Sequence, residues 1–277
     1  MNVKKTVCFT IDVEPDFGGV LNKDMYYGKY DLTKLEHIVK KNNIKLTAFV
    51  TGKTLEDNSD IVSSLLSMKA EIECHSYSHR VGHGSKIDDM ELGIKTYEKI
   101  IGHLPSGYRA PQGLITKKEI LYLDRRGIKF DSSIFPAFFP GRYNNLHFPV
   151  QPFKVDGSNI LEMPFSVIPK IRIPFGLSFV QMIGFNAFSF LFRIFGKPNL
   201  IIFDFHSYEL GKLPSYSQLP LGPRAGYFRA QRVYKDPASV FERFVKYMLD
   251  AGYESSYLYD VYERCKYSAP SWRWVQN

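Results

Sequence analysis

TVCFTIDV at 6–13, DLTKLEHIVKKNN at 31–43 and KLTAFVT at 45–51 are the segments whose reading decides the fold. The first and third are rich in β-branched and aromatic residues, as strands are. Between them Leu32, Leu35, Ile38 and Val39 recur at helical spacing behind Asp31. A strand, a helix and a second strand in that order make a parallel crossover unit. The pattern then repeats. Helices are predicted at IVSSLLSMK (61–69), IDDMELGIKTYEKIIG (87–102), TKKEILYLDRRG (116–127) and PASVFERFVKYMLDAG (237–252). Strands are predicted at AEIEC (70–74), NILEMPFSV (159–167), NLIIFDFHSY (199–208) and, last, SSYLYD (255–260), with IKFDSSIF (128–135) following a helix. About seven such steps point to an α/β barrel, closed or nearly so, instead of an open sheet. The Pro-rich stretch from Phe135 to Pro152 reads as one long surface loop.

A chain of 277 residues, 44% hydrophobic and 23% charged, has the apolar content for one substantial core, so residues 1–277 are read as a single domain. Cys8, Cys74 and Cys265 are odd in number and lack CxxC spacing. Neither a disulfide framework nor a cysteine zinc site is expected, and reduced thiols fit a cytoplasmic setting. MNVKKTVCFTIDVEPD meets acidic residues by position 12 and has no small-residue cleavage pattern, so it reads as a first strand, not a signal peptide. The net charge of +8 favours an anionic partner, a phosphate or a membrane surface; no nucleic acid is expected.

In parallel α/β folds ligands bind at the carboxyl ends of strands, where Asp12 and Glu14 fall. Residues two apart on a strand share a face. An isolated pair of this kind is more often a turn cluster. His75 and His79 follow the next-but-one strand, and an i, i+4 pair on a helical turn can aim both imidazoles at one ion. Two nitrogens and a carboxylate are the donor set of a catalytic zinc or similar divalent site.

FTIDVEPD, HSYSH, YRAPQG, FDSSIFP and IIFDFHSYEL, in this order, resemble the five motifs of the polysaccharide deacetylase family, the NodB-homology or carbohydrate esterase family 4 enzymes. The resemblance implies a deformed (β/α)7 barrel and hydrolysis of an N-acetyl group on a sugar. It makes Asp12 the general base toward a metal-bound water and Glu14, His75 and His79 the ligands of a divalent metal, zinc before others. Arg109 then holds the base, His206 is the general acid, and Asp131 orients His206. Where many members carry two adjacent aspartates, this chain has Asp12, Val13, Glu14, a DVE version that leaves Asp16 as the alternative carboxylate ligand. The tryptophan frequent in the fourth motif is absent, and Phe135 and Phe138 stand in as apolar walls. Tyr26, Tyr27, Tyr108, Phe138 and Phe139 suit sugar stacking. His37, His103 and His147 match nothing and are read as solvent-facing or packing residues, and His83 as a loop residue. Two rivals remain: a hydrolase of a small cyclic imide or ureide on a similar barrel, and a non-catalytic carbohydrate-binding relative.

LSFVQMIGFNAFSFLFRIFG (177–196) is long enough for a membrane span, but Gln181, Asn186, Ser189 and Arg193 interrupt it. It is either a packed barrel helix or an interfacial one with a polar stripe of Asn186, Ser189 and Arg193. The expected substrate is a glycan or glycolipid biosynthetic intermediate inside the cell, nucleotide-linked or lipid-linked, with peripheral contact at the inner membrane face.

Overall fold

The computed structural model describes residues 4–15, 32–79, 86–141, 143–210 and 236–274. The elements, in chain order, are β1 (Thr6–Val13), α1 (Thr33–Asn42), β2 (Leu46–Val50), α2 (Gly52–Asp57), α3 (Ser59–Ser67), β3 (Glu71–Cys74), α4 (Ile87–Ile101), β4 (Gly107–Tyr108), α5 (Lys117–Arg125) and β5 (Phe130–Asp131). There follow β6 (Phe138–Phe139), β7 (Tyr143–Asn144), β8 (Phe153–Val155), β9 (Leu161–Glu162), α6 (Leu177–Ile183), α7 (Phe185–Phe195), β10 (Leu200–His206), α8 (Pro237–Asp250), β11 (Glu254–Ser255), α9 (Leu258–Cys265) and β12 (Ser271–Trp272).

Seven strands, in the order β10-β1-β2-β3-β4-β5-β9, are each parallel to the next. The chain beyond β9 closes the ring: Ser166 N–H donates to Ile202 O at 3.2 Å, and Gly176 bridges Asp204. This is the deformed seven-stranded barrel, sealed by isolated contacts instead of a full ladder. β8 and β12 extend the sheet from β9 outside the ring.

Alternation along each strand separates two layers. Cys8, Phe49, Phe130, Leu161, Met163 and Ile202 face one another inside, closed at the bottom by Leu258 and Val261 of α9. Val7, Phe9, Ile11, Cys74, Tyr108 and Phe203 belong to the larger cluster between strands and surrounding helices. There Phe203 stacks on Phe244 of α8 at 4.2 Å between centroids, and Phe175 meets Phe188 and Phe192 of α7 edge-on. Each ring so buried contributes about 2–3 kcal/mol.

Three local expectations differ from the structure. SSYLYD is not a strand throughout: β11 ends at Ser255 and α9 begins at Leu258. The Glu71 carboxylate on β3 accepts the Leu258 and Tyr259 N–H groups at 3.1 and 3.0 Å, satisfying the helix's first donors from a distant strand. Phe135–Pro152 is not a bare loop, because β6 and β7 pair antiparallel within it. The apolar stretch 177–196 is two helices bent by 103° at Gly184, whose φ of +90° suits glycine. Asp31, at the predicted start of α1, lies outside the described residues.

Candidate active site

The inner layer becomes polar at the carboxyl ends of β1, β3, β4 and β10. Asp12 on β1 is in register with His206 on β10, and Thr10 with Asp204 one inward position below. His75 directly follows β3 and Arg109 directly follows β4. These ends bring Asp12, His75, Arg109 and His206 together around one opening.

Arg109 is the centre of the network and is 1% exposed. Its guanidinium lies between the rings of Phe49 and Phe165, with Cζ 4.1 and 4.3 Å from their centroids. Nη1 donates to Asp12 Oδ1 at 2.6 Å and Asp204 Oδ1 at 2.8 Å, and Nε donates to Ser132 O at 2.9 Å. Burial pushes the Asp12 pKa up, but the Arg109 charge and hydrogen bond, together with the charges of His75 and His206, outweigh it and hold the carboxyl below its ordinary range. Asp204 goes the other way: burial, then the Asp12 charge, lifts it to about 7. Two carboxyls bonded to one guanidinium nitrogen thus differ: Asp12 is ionised, and Asp204 is near half-protonation at neutral pH. Asp204 escaped the sequence reading, although its position two before His206 on a strand places both on one face.

Glu14, His75 and His79 each offer an atom within 4.8 Å of the other two, and all three are buried. His75 Nδ1 lies 2.8 Å from Arg109 O. A carbonyl only accepts, so Nδ1 carries the proton and Nε2 presents a lone pair. His75 Nε2 is buried without a hydrogen-bond partner among the described residues, and Asp12 Oδ2 stays 3.8 Å away. His79 Nε2 is 2.6 Å from Glu14 Oε2. An oriented, orphaned imidazole nitrogen beside a second imidazole and a carboxylate fits a divalent cation. Asp16, the alternative carboxylate, lies outside the described residues.

Residues 75–79 do not form the helical turn that the spacing predicts. Ser76 and His79 have φ of +63° and +50°, a left-handed backbone uncommon outside glycine. Asp89, in the first turn of α4, holds this shape by accepting from Ser76 Oγ, from Ser78 Oγ at 2.7 Å, and from the Tyr77 and Ser78 N–H groups at 3.2 Å. Gly93, one helical turn on, lets the loop lie against α4, since a Cβ there would stand 2.4 Å from the Ser76 carbonyl carbon. Strain held by surrounding bonds is a mark of functional loops.

His206 closes the other side. Its Nε2 is 4.0 Å from Asp12 Oδ2 and its ring stacks on Tyr208 at 4.8 Å. Burial disfavours its charged form, but Glu209 and then Asp204 overcome this and raise its pKa to about 10. Glu209 Oε2 accepts the His206 backbone N–H at 2.7 Å and lies 3.5 Å from Nδ1. Glu209 therefore occupies the place expected of Asp131. Asp131 lies in the opposite layer, in register with Tyr108 and Glu162, and faces away from His206. Its carboxyl accepts from Ser133 Oγ at 2.7 Å, and its neighbour Glu162 accepts the Ile134 N–H at 3.0 Å. The same parity buries Tyr108 outside the barrel, so it is no sugar-stacking residue.

Asp12, Glu14, His79, Arg109, Asp204 and His206 line a cleft of about 250 Å³, walled by Phe135, Phe139, Tyr143, Phe165, Phe179 and Tyr208. Of the expected walls Phe135 lines the cleft, but Phe138 turns outward and is 56% exposed, and its neighbour Phe139 lines the cleft instead. Tyr26, Tyr27 and His83 lie outside the described residues; His37, His103 and His147 are exposed. All three cysteines are free.

Residues 2–130 match the family model described as polysaccharide deacetylase. The matched segment is a little under half of the chain and carries Asp12, Glu14, His75, His79 and Arg109. The chain is 27% identical over 116 residues to the peptidoglycan deacetylase-like protein FGM2 of Gibberella zeae, covering 40% of this chain and 34% of that protein. To the peptidoglycan deacetylase of Helicobacter pylori it is 23% identical over 127 residues, 44% of this chain and 43% of the other. The matches thus span less than half of either relative. A solved putative polysaccharide deacetylase from Mycobacterium smegmatis shares the fold, with a TM-score of 0.60 at 18% identity over 99% of this chain and 94% of that one.

Proposed function

We propose that this protein hydrolyses the N-acetyl amide of an amino sugar in a glycan or glycolipid intermediate. The observation that carries the reading is the position of Asp12: ionised by Arg109, 3.8 Å from the free nitrogen of His75, and 4.0 Å from His206 across the cleft. A water beside Asp12 Oδ2 can lose its proton to that carboxylate as it attacks the acetyl carbon. His206, held charged by Glu209 and Asp204, can give its proton to the departing sugar nitrogen. Acetate and a free amine are the products. A divalent cation held by Glu14, His75 and His79, zinc before others, would supply Lewis acidity toward the acetyl oxygen and the attacking water. Aromatic walls at Phe139, Tyr143 and Tyr208 suit the faces of a sugar ring.

Acetate and ammonia release across acetylated amino sugars, their oligosaccharides and small cyclic ureides tests this reading. Acetate from the sugars, abolished by a chelator and restored by zinc, is the expected result. Ammonia from a ureide, or hydrolysis indifferent to the chelator, contradicts it. Calorimetric zinc titration of His75→Ala should show lost binding, independently of turnover.

A further inference from the structure

Residues 163–203 contain no Asp or Glu, although the chain has 28; their charges are Lys170, Arg172, Arg193 and Lys197. Helices α6 and α7 lie within this stretch. A helix on a barrel surface ordinarily has one apolar stripe facing the core and a polar remainder. α7 has two apolar faces. Phe188 and Phe192 are buried against Phe175. On the far side Phe190 and Ile194, four residues apart and hence neighbours on one ridge, are 53% and 59% exposed. Asn186 and Arg193 run between the two faces, and Arg243 of α8 joins them by donating to Asn186 Oδ1 at 2.8 Å. α6, bent away by 103°, exposes Met182 at 42%. No described helix is long and apolar enough by itself to cross a bilayer.

An open apolar ridge edged by cations, in a stretch without acids, has the composition of an interfacial helix, which seats its apolar side among acyl chains and its cations at lipid phosphates. The cleft is close by. Gly176, Ser178 and Phe179, at the start of α6, line it, and Phe179 meets Phe139 edge-on at 5.8 Å. We propose that α6–α7 is a peripheral docking surface for an anionic bilayer: Phe190 and Ile194 enter the lipid, Arg193 meets the headgroups, and the cleft is held near the membrane surface. On the deacetylase reading above, on which this last step rests, the amino sugar is then one carried on a lipid phosphate.

Sedimentation with phosphatidylcholine vesicles and with vesicles containing phosphatidylglycerol, at low and high salt, tests the docking. Wild type should pellet with the anionic vesicles at low salt. Phe190→Ser/Ile194→Ser and Arg193→Glu should each lower the bound-to-free ratio about tenfold or more, with circular dichroism and melting unchanged. The same variants should release acetate from a soluble acetylated oligosaccharide at the wild-type rate, which separates docking from chemistry. Vesicle binding without acetate release from any sugar would sink the deacetylase reading and leave docking standing. Wild type remaining in the supernatant overturns docking. So does a concentration-dependent dimer, seen by light scattering, that the double variant abolishes, because a second copy then covers the ridge.

Discussion

Asp12 with Asp204, and Asp131 with Glu162, are two pairs of neighbouring buried carboxyl groups on opposite faces of the barrel wall. Inside, Asp12 and Asp204 share Arg109 Nη1. Outside, Asp131 and Glu162 lie side by side, fully buried, with Ser133 and the backbone as their hydrogen-bond donors. Burial raises Asp131 to about 6 and Glu162 well above its ordinary value, so this pair retains a proton near neutral pH. The inner pair has a cation, and Asp12 stays ionised. Burial is common to both; the inner pair is hydrogen-bonded to a guanidinium and contains an ionised base, whereas the outer pair has no such bond among the described residues and is a protonated brace for residues 132–134.

The largest expected effect is at the inner pair. Asp12→Asn should lower kcat/KM about a thousandfold, within the usual range for loss of a general base. Its folding should change little, since Asp204 remains beside Arg109 to take up the negative charge. Next is Arg109→Met, which leaves Asp12 buried without its cation and should cost about 3–5 kcal/mol in urea unfolding. A loss below about 1 kcal/mol would mean that the guanidinium is not what holds the inner pair.

Glu209→Gln sharpens the comparison more gently. It removes the first group that raises the His206 pKa, so the alkaline limb of the kcat profile should move down from about 10 by roughly one unit or more. The metal-ligand residues are untouched, and zinc affinity should not change. An unshifted limb would assign that titration to another group.

The smallest effect belongs to the outer pair. Asp131 has its folded pKa raised to about 6, above an unfolded value of roughly 3.9. Stability due to the protonated pair is therefore complete below about pH 4 and lost as pH rises through about 6. Asp131→Asn should flatten this decline in urea midpoints measured between pH 4 and 8, and should leave kcat within a few-fold of wild type. A decline just as steep in the variant would show that the outer carboxyls do not share a proton.

The elements that sequence made legible are those with strong local patterns. TVCFTIDV is β1 from end to end, and IDDMELGIKTYEKIIG differs from α4 only at its final glycine. The placement of Asp12 and Arg109 against each other was also legible, through the ordered motifs. What escaped depends on partners far away in sequence. Whether Asp131 faces inward is set by the register of two-residue strands against β4 and β9, which no local pattern encodes. The start of α9 is set by Glu71, 187 residues earlier. Asp89 and Gly93, which shape the His75–His79 loop, read in sequence as an ordinary helix start and a tolerated helical glycine. Asp204 and Glu209 were within reach, being two before and three after His206.

Acetate release from an acetylated amino-sugar oligosaccharide, measured side by side for wild type, Asp12→Asn and Asp131→Asn with zinc present, tests the assignment of the inner pair to catalysis most directly. Wild type and Asp131→Asn should release acetate at rates within a few-fold of each other, and Asp12→Asn about a thousandfold more slowly. Acetate from Asp12→Asn at the wild-type rate, or loss of turnover in Asp131→Asn with Asp12→Asn still active, contradicts it.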